Sequence, residues 1–387
     1  VEALMNKLLN PKATEQKLED ITSNLQVNEC IVDLIHYTSK NDNGFFAVIY
    51  KPNGDIVTMP IITNMKPEFE GELTAFMFPE DKKIDTKFAA KLYKDLWKPM
   101  EEELAGYTSI YWSTSGILVN LNPSILYDKS RDEFLMDRYE FSLCADIGDL
   151  SSEATDVLSS EEAILVGNPK FGGEINNSQI GLDFLMRAGE MGSWIDLPGT
   201  GKELSLVDSL LNTVGTATQT ITQTMATEDA FLSMVSPKYL HIATHGFFME
   251  EESDPYNACG LVMNGANESQ KSYASVAADN YVTAGEIMSM DLSSTSLVVL
   301  SACESAQGSA AQSENYNLVR AFKIAGAKNV IASGWSVSDQ KTVYFMEQFY
   351  EQLGKGLDSK RAFLTAQRRM RDAYSEPYVW GVFKFFE

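Results

Sequence analysis

The chain has 387 residues, 44% of them hydrophobic and 22% charged, which suits one large globular domain or two modest ones. Its 54 acidic residues outweigh 31 basic ones to leave a net charge of -23, so phosphate backbones and anionic membranes are repelled and neither nucleic acid nor membrane is expected as a partner. Cys30, Cys144, Cys259 and Cys303 lie far apart, without Cys-x-x-Cys or Cys/His spacing for zinc, which excludes a structural metal and points to a reducing, cytoplasmic compartment. No apolar run approaches the ~18 residues that span a bilayer, and no signal-peptide pattern opens the chain.

Residues Val1 to Leu25 read as helix, with Leu4, Leu8 and Leu18 apolar and Pro11 interrupting. The chain opens at Val1 rather than Met, so this helix is expected to be the tail of a helical repeat upstream. Three strand-like stretches follow, from Cys30, from Gly44 to Tyr50 and from Ile56 to Ile62, with polar turns between them. They predict a small antiparallel meander. Asp85 to Gly106 reads as one helix with Phe88, Leu92, Leu96 and Leu104 on its apolar stripe.

Beyond this point strand and helix patterns alternate. Ser109–Trp112, Ala163–Gly167, Tyr239–Ala243, Leu297–Leu300 and Asn329–Ser333 are short apolar strands; Glu203–Leu211, Glu228–Met234, Leu318–Ala325 and Gln340–Leu353 read as helices. Such alternation predicts a mostly parallel sheet flanked by helices. Ser151–Ser160 and Asn212–Thr224 read as surface loops, and Met249–Tyr281 as a longer polar insertion overhanging whatever lies at the end of the preceding strand. The closing aromatic cluster of Tyr378, Trp380, Phe383, Phe385 and Phe386 reads as core.

Two of these strands end in reactive side chains: Tyr-Leu-His-Ile-Ala-Thr-His-Gly ends at His245 and Gly246, and Leu-Val-Val-Leu-Ser-Ala-Cys-Glu at Cys303 and Glu304. Parallel strands share a carboxyl edge, so His245 and Cys303 can meet although 58 residues separate them. A thiol nucleophile and its base need that proximity. Gly246 and the small residues around Cys303 would leave two backbone N–H groups for an oxyanion. His241, inside the apolar run, reads as a core histidine. Asn176 and Asn267 match the glycosylation tripeptide, which chance produces often. Pro198-Gly-Thr-Gly-Lys-Glu fails as a phosphate loop, because Asp196 stands where the first glycine belongs and Glu203 where a hydroxyl would hold magnesium. No cofactor is expected.

With those motifs in place, the chain resembles the CHAT family of caspase-like cysteine peptidases, related to the separases and caspases of clan CD. The likeness extends through Ala325–Asp339 and Pro377–Phe383 and covers roughly Lys83 to Glu387. It implies residues 1–82 as a helical and antiparallel lead-in and 83–387 as a caspase-like peptidase domain. It further implies a Cys303/His245 dyad with Gly246 and Cys303 N–H groups at the oxyanion. Asp339 is the expected selector of a basic residue before the cut bond, with Trp335 as a further substrate-binding residue and Glu304 and Glu286 as weaker choices; capping of the helix after it is the competing role for Asp339. The expected partners are a protein substrate, with a gasdermin-like protein cut in bacterial defence as one case, and an upstream helical-repeat or regulatory element. The alternative is a catalytically silent interaction scaffold that uses the Met249–Tyr281 loop.

Overall fold

The computed structural model of the chain describes residues 18–40, 42–79, 81–151, 161–172, 194–248, 256–269, 280–301 and 318–387. These fall into two compact units, one holding the described residues 18–151 and 370–387, the other 161–301 and 318–369. Among the described residues no helix is long and apolar enough to cross a membrane.

In the first unit the expected meander forms: β1 (Glu29–Thr38) pairs antiparallel with β2 (Asn43–Tyr50), and β2 with β3 (Ile56–Ile62). β1 then turns the sheet parallel by pairing with β4 (Ser109–Thr114). A two-stranded ribbon of β5 (Tyr127–Asp128) and β6 (Glu133–Phe134) precedes β7 (Glu140–Leu143), which lies parallel to β4 on one side and to the closing strand Phe383–Phe386 on the other. All four residues of that closing strand are buried, as the aromatic cluster predicts. The helix expected over Asp85–Gly106 is regular only over Thr86–Leu92; it widens to a π-turn over Tyr93–Trp97 and tightens to a 3-10 turn over Lys98–Met100. Pro99 explains the break, because it has no N–H for the Asp95 carbonyl and its ring crowds that turn. The rearrangement seats Trp97 in the core, its ring 4.9 Å from Tyr139 and 5.6 Å from Phe141.

In the second unit every pairing of the main sheet is parallel. β8 (Ala163–Pro169), β9 (Thr218–Gln223), β10 (Tyr239–Ala243), β14 (Leu297–Leu300) and β15 (Val330–Ser333) run in the order β15-β14-β10-β8-β9. Between β10 and β14 in sequence, β11 (Gly246–Phe248), β12 (Cys259–Val262) and β13 (Tyr281–Thr283) make a separate antiparallel sheet. Helix α1 (Pro198–Thr213) packs against α2 (Asp339–Gly354), and α3 (Ser359–Ala373) follows. The strands are continuous apolar runs because both faces are covered; Leu297, Val298, Val299 and Leu300 are all fully buried.

Further elements differ from the sequence expectation. Thr218–Gln223, read as loop, is an edge strand, whose alternating threonines suit a half-exposed pleat while its polarity disguises it. α1 starts at Pro198, five residues before the expected onset, with proline at the helical position that needs no N–H donor. The polar insertion after the histidine includes the buried strand β12. Ser359–Ala373, assigned no element above, is a helix whose buried Ala362, Phe363, Ala366 and Met370 recur at helical spacing behind a basic surface.

Candidate active site

β10 and β14 set the register of the site. Tyr239 lies opposite Leu297 and Ile242 opposite Leu300, and the Ser301 N–H donates to the Ile242 carbonyl at 2.8 Å. In sequence His245 and Cys303 are each six residues past the paired Tyr239 and Leu297. Cys303 and Glu304 themselves lie outside the described residues, as does Asn176.

His245 is buried, 8% exposed, in the turn that leads from β10 into β11. Its Nε2 lies 2.8 Å from the Ile195 carbonyl. A carbonyl can only accept, so Nε2 carries the proton and donates it, and the neutral ring keeps its lone pair on Nδ1. That Nδ1 is buried and has no partner among the described residues. Burial pushes the imidazole below its ordinary value, with the Ile195 hydrogen bond pulling partly back. The ring is held between Phe171 and Trp194, at centroid distances of 5.2 and 5.1 Å. The geometry therefore fixes one tautomer and aims an unprotonated nitrogen away from the Ile195 anchor.

The backbone around His245 is tied from the other side. Val262 N–H donates to the His245 carbonyl at 2.9 Å, and Thr244 Oγ1 donates to the Val262 carbonyl at 2.6 Å. Because the bond from Val262 reaches His245, Gly246 and Leu261 face one another as a pair without mutual hydrogen bonds, and the Gly246 N–H points away from β12. An oxyanion donor needs that orientation. Phe247 packs its ring onto Gly260, where an added Cβ would come within 2.6 Å of it, and meets Tyr281 edge-on at 5.6 Å.

Asp339 is the exposed first residue of α2, one position past the Ser338 N-cap, so it does not itself cap the helix. Its carboxylate rests against Gly199, four residues beyond Ile195; a Cβ on Gly199 would approach the Asp339 Oδ2 to 2.0 Å. This brings Asp339 to the segment that anchors His245. Trp335 is buried just past β15. Glu286 closes a capping box with Thr283, accepting from the Thr283 N–H and Oγ1 at 2.8 Å each.

His241 occupies a different environment four residues earlier. It is fully buried, with Nδ1 3.0 Å from the Tyr350 hydroxyl and Nε2 3.0 Å from Glu203 Oε1. Burial, then the Glu203 charge, raises the Tyr350 phenol well above its ordinary value, so it stays protonated and donates to Nδ1, leaving Nε2–H for the carboxylate. Glu203, the residue that disqualified the phosphate loop, is thus the partner of the core histidine. The roles of the Ile195 carbonyl and the Asn267 amide described below have no sequence signature; a backbone carbonyl carries no side-chain signal, and Asn267 stands out only as a chance match to the glycosylation tripeptide. Among the described residues no group of three or more His, Cys, Asp or Glu side chains could hold a metal ion.

A search of curated proteins finds no match. Among solved structures, Saccharomyces cerevisiae separase in its complex with securin matches with a TM-score of 0.50 and 10% identity, over 95% of this chain and 30% of that one. The Arg-specific cysteine proteinase gingipain R matches with a TM-score of 0.43 and 11% identity, over 82% and 74%. The complex of Porphyromonas gingivalis RgpB pro- and mature domains gives 0.43 and 10%, over 83% and 77%. The separase likeness is one of fold, a mixed α/β arrangement with a mostly parallel sheet. The model of the CHAT domain matches residues 86–386, and the chain belongs to the CHAT-domain family.

Proposed function

We propose that this chain is a caspase-like cysteine endopeptidase whose domain spans residues 83–387 and which cuts a protein partner through His245 and Cys303. The observation that carries this reading is the His245 ring: one nitrogen is spent on the Ile195 carbonyl, while the other is buried, unprotonated and without a partner among the described residues. An unprotonated ring nitrogen that no neighbour occupies is available to accept a proton. In sequence Cys303 stands three residues past the end of β14, the strand that pairs parallel with β10.

In the proposed reaction His245 Nδ1 takes the Cys303 thiol proton. The thiolate forms a bond to the scissile carbonyl carbon, and Gly246 and Cys303 N–H groups receive the oxyanion. As the carbon–nitrogen bond breaks, the Nδ1 proton goes to the leaving amine, and water then hydrolyses the thioester. While the ring is an imidazolium, Nε2–H continues to donate to Ile195, so that carbonyl stabilises the transient charge where other sites use a carboxylate.

Asp339 selects Lys or Arg before the cut bond in this reading, with Trp335 and, more weakly, Glu304 as further substrate-binding candidates. An exposed carboxylate resting on the segment that anchors His245 supports the choice. The family resemblance supplies a gasdermin-like protein, cut in bacterial defence, as one candidate substrate, and an upstream helical-repeat element as the regulator. Incubation with a diverse peptide library, followed by sequencing of the cut ends, tests activity and preference together. Cleavage lost in Cys303→Ala and enriched after Lys and Arg is expected. Cleavage after acidic or large apolar residues removes Asp339 from this role, and the absence of Cys303-dependent cleavage favours the scaffold.

A further inference from the structure

Asn267 is a buried polar residue with three side-chain hydrogen bonds, all directed at the two segments that hold His245. It is 3% exposed. Its Oδ1 accepts from the Trp194 N–H at 2.7 Å, and its Nδ2 donates to the Trp194 carbonyl at 2.8 Å and to the Gly172 carbonyl at 2.7 Å. Its own N–H donates to the Phe171 carbonyl at 2.9 Å. Phe171 and Trp194 are the two rings packed against the imidazole, and Trp194 immediately precedes the Ile195 carbonyl that receives Nε2–H. Trp194 is fixed further by its Nε1, which donates to the Tyr281 hydroxyl at 3.0 Å.

We propose that Asn267 is the positioning residue of the site, gripping the Trp194 backbone so that the Ile195 carbonyl holds His245 in its Nε2–H tautomer. Only a carboxamide serves here. Grasping the N–H and the C=O of one residue at once needs an acceptor and a donor on the same short planar group; aspartate lacks the donor and leucine lacks both. Burying an amide is costly unless it is satisfied, and this one spends both of its N–H groups on carbonyls. The same geometry disposes of the glycosylation tripeptide, since in the folded chain the Asn267 nitrogen faces the interior. Groups that orient a catalytic imidazole are typically worth ~10–100-fold in function although they touch no substrate.

The proposal rests on the peptidase reading of His245, yet its test does not. The chain has three histidines, so side-chain imidazole nitrogen spectra of the full-length protein are simple enough to assign. In the wild type His245 should give the widely separated shifts of a single Nε2–H tautomer. In Asn267→Ala those shifts should converge as the tautomers mix, with the His241 signals unmoved, and iodoacetamide labelling of Cys303 should slow by roughly ten- to a hundredfold. Asn267→Asp keeps the acceptor for the Trp194 N–H and withdraws both donated bonds; it should fall between the two and serves if the alanine variant does not fold. A folded variant of either kind with wild-type His245 shifts and wild-type labelling overturns the proposal. If wild-type Cys303 is itself unreactive, the peptidase reading fails, while the tautomer comparison still decides the role of Asn267.

Discussion

His241 and His245 stand four residues apart, one in the middle of β10 and one just past its end, both buried, and the protein treats them in opposite ways. His241 has a partner for each ring nitrogen, Tyr350 and Glu203, drawn from the two helices that cover the sheet. Among the described residues His245 has one, a backbone carbonyl. A buried polar atom without a partner costs about 1–3 kcal/mol, a cost that His241, paired at both nitrogens, avoids and that Nδ1 of His245 does not offset through any described residue. The contrast separates a residue that holds the core from one kept for chemistry better than sequence position or burial does.

The largest expected effect breaks the pair apart. His245→Ala should lower kcat/KM for peptide cleavage by about 10²–10⁴-fold while the urea midpoint barely moves. Glu203→Ala should do the reverse: it leaves the buried Nε2–H of His241 without its acceptor, with a loss of about 1–3 kcal/mol in equilibrium unfolding, while the folded fraction cuts normally. Equal losses of activity in the two variants would erase the distinction.

A second expectation carries the contrast to the other unit. Lys384 is buried in the closing strand with Nζ donating to the Asn120 carbonyl at 2.7 Å, and burial pulls its pKa down to about 7. Between pH 7 and the ordinary 10.5 the unfolded chain holds a proton that the native lysine does not, so stability rises with pH across that window and the penalty is full below it. Lys384→Met should therefore stabilise the protein at pH 6 by roughly 3 kcal/mol, and the gain should vanish near pH 11. Urea unfolding at the two pH values measures it; a variant that is less stable at pH 6 contradicts the assignment.

The smallest effect concerns His245 alone. Its lowered pKa means that the unfolded chain takes up a proton as pH falls through the ordinary 6.5 while the native ring does not, so stability declines modestly from there down to the native value. His245→Asn should remove that decline. For the same reason the acid limb of the cleavage rate should lie below pH 6.5.

Much of this arrangement was legible in the residues. The offset of 58 between the two apolar strands is the offset of the observed register, because a buried parallel strand permits few alternatives. The core role of His241 also followed from its place inside an apolar run. Its partner did not: Glu203 was visible only as the residue that spoils a phosphate loop, since tertiary packing of α1 decides which way it faces. The polar strand Thr218–Gln223 was hidden because an edge strand carries little apolar signal, whereas the helix Ser359–Ala373 carries its apolar residues at helical spacing beneath a dense set of Lys and Arg. The Ile195 carbonyl has no side-chain signature at all, which is why the element that fixes the His245 tautomer required a structure.

Thiol reactivity tests most directly whether His245 is held as the base for Cys303. Cys30, Cys144 and Cys259 are buried, and burial raises the Cys30 and Cys259 thiols to about 12, so they should be nearly inert to iodoacetamide at neutral pH. Labelling of the intact chain, mapped by peptide mass, should fall on Cys303 alone, and it should slow sharply in His245→Ala but not in Glu203→Ala. Equal and slow labelling of several cysteines, or a Cys303 rate indifferent to His245, would contradict it.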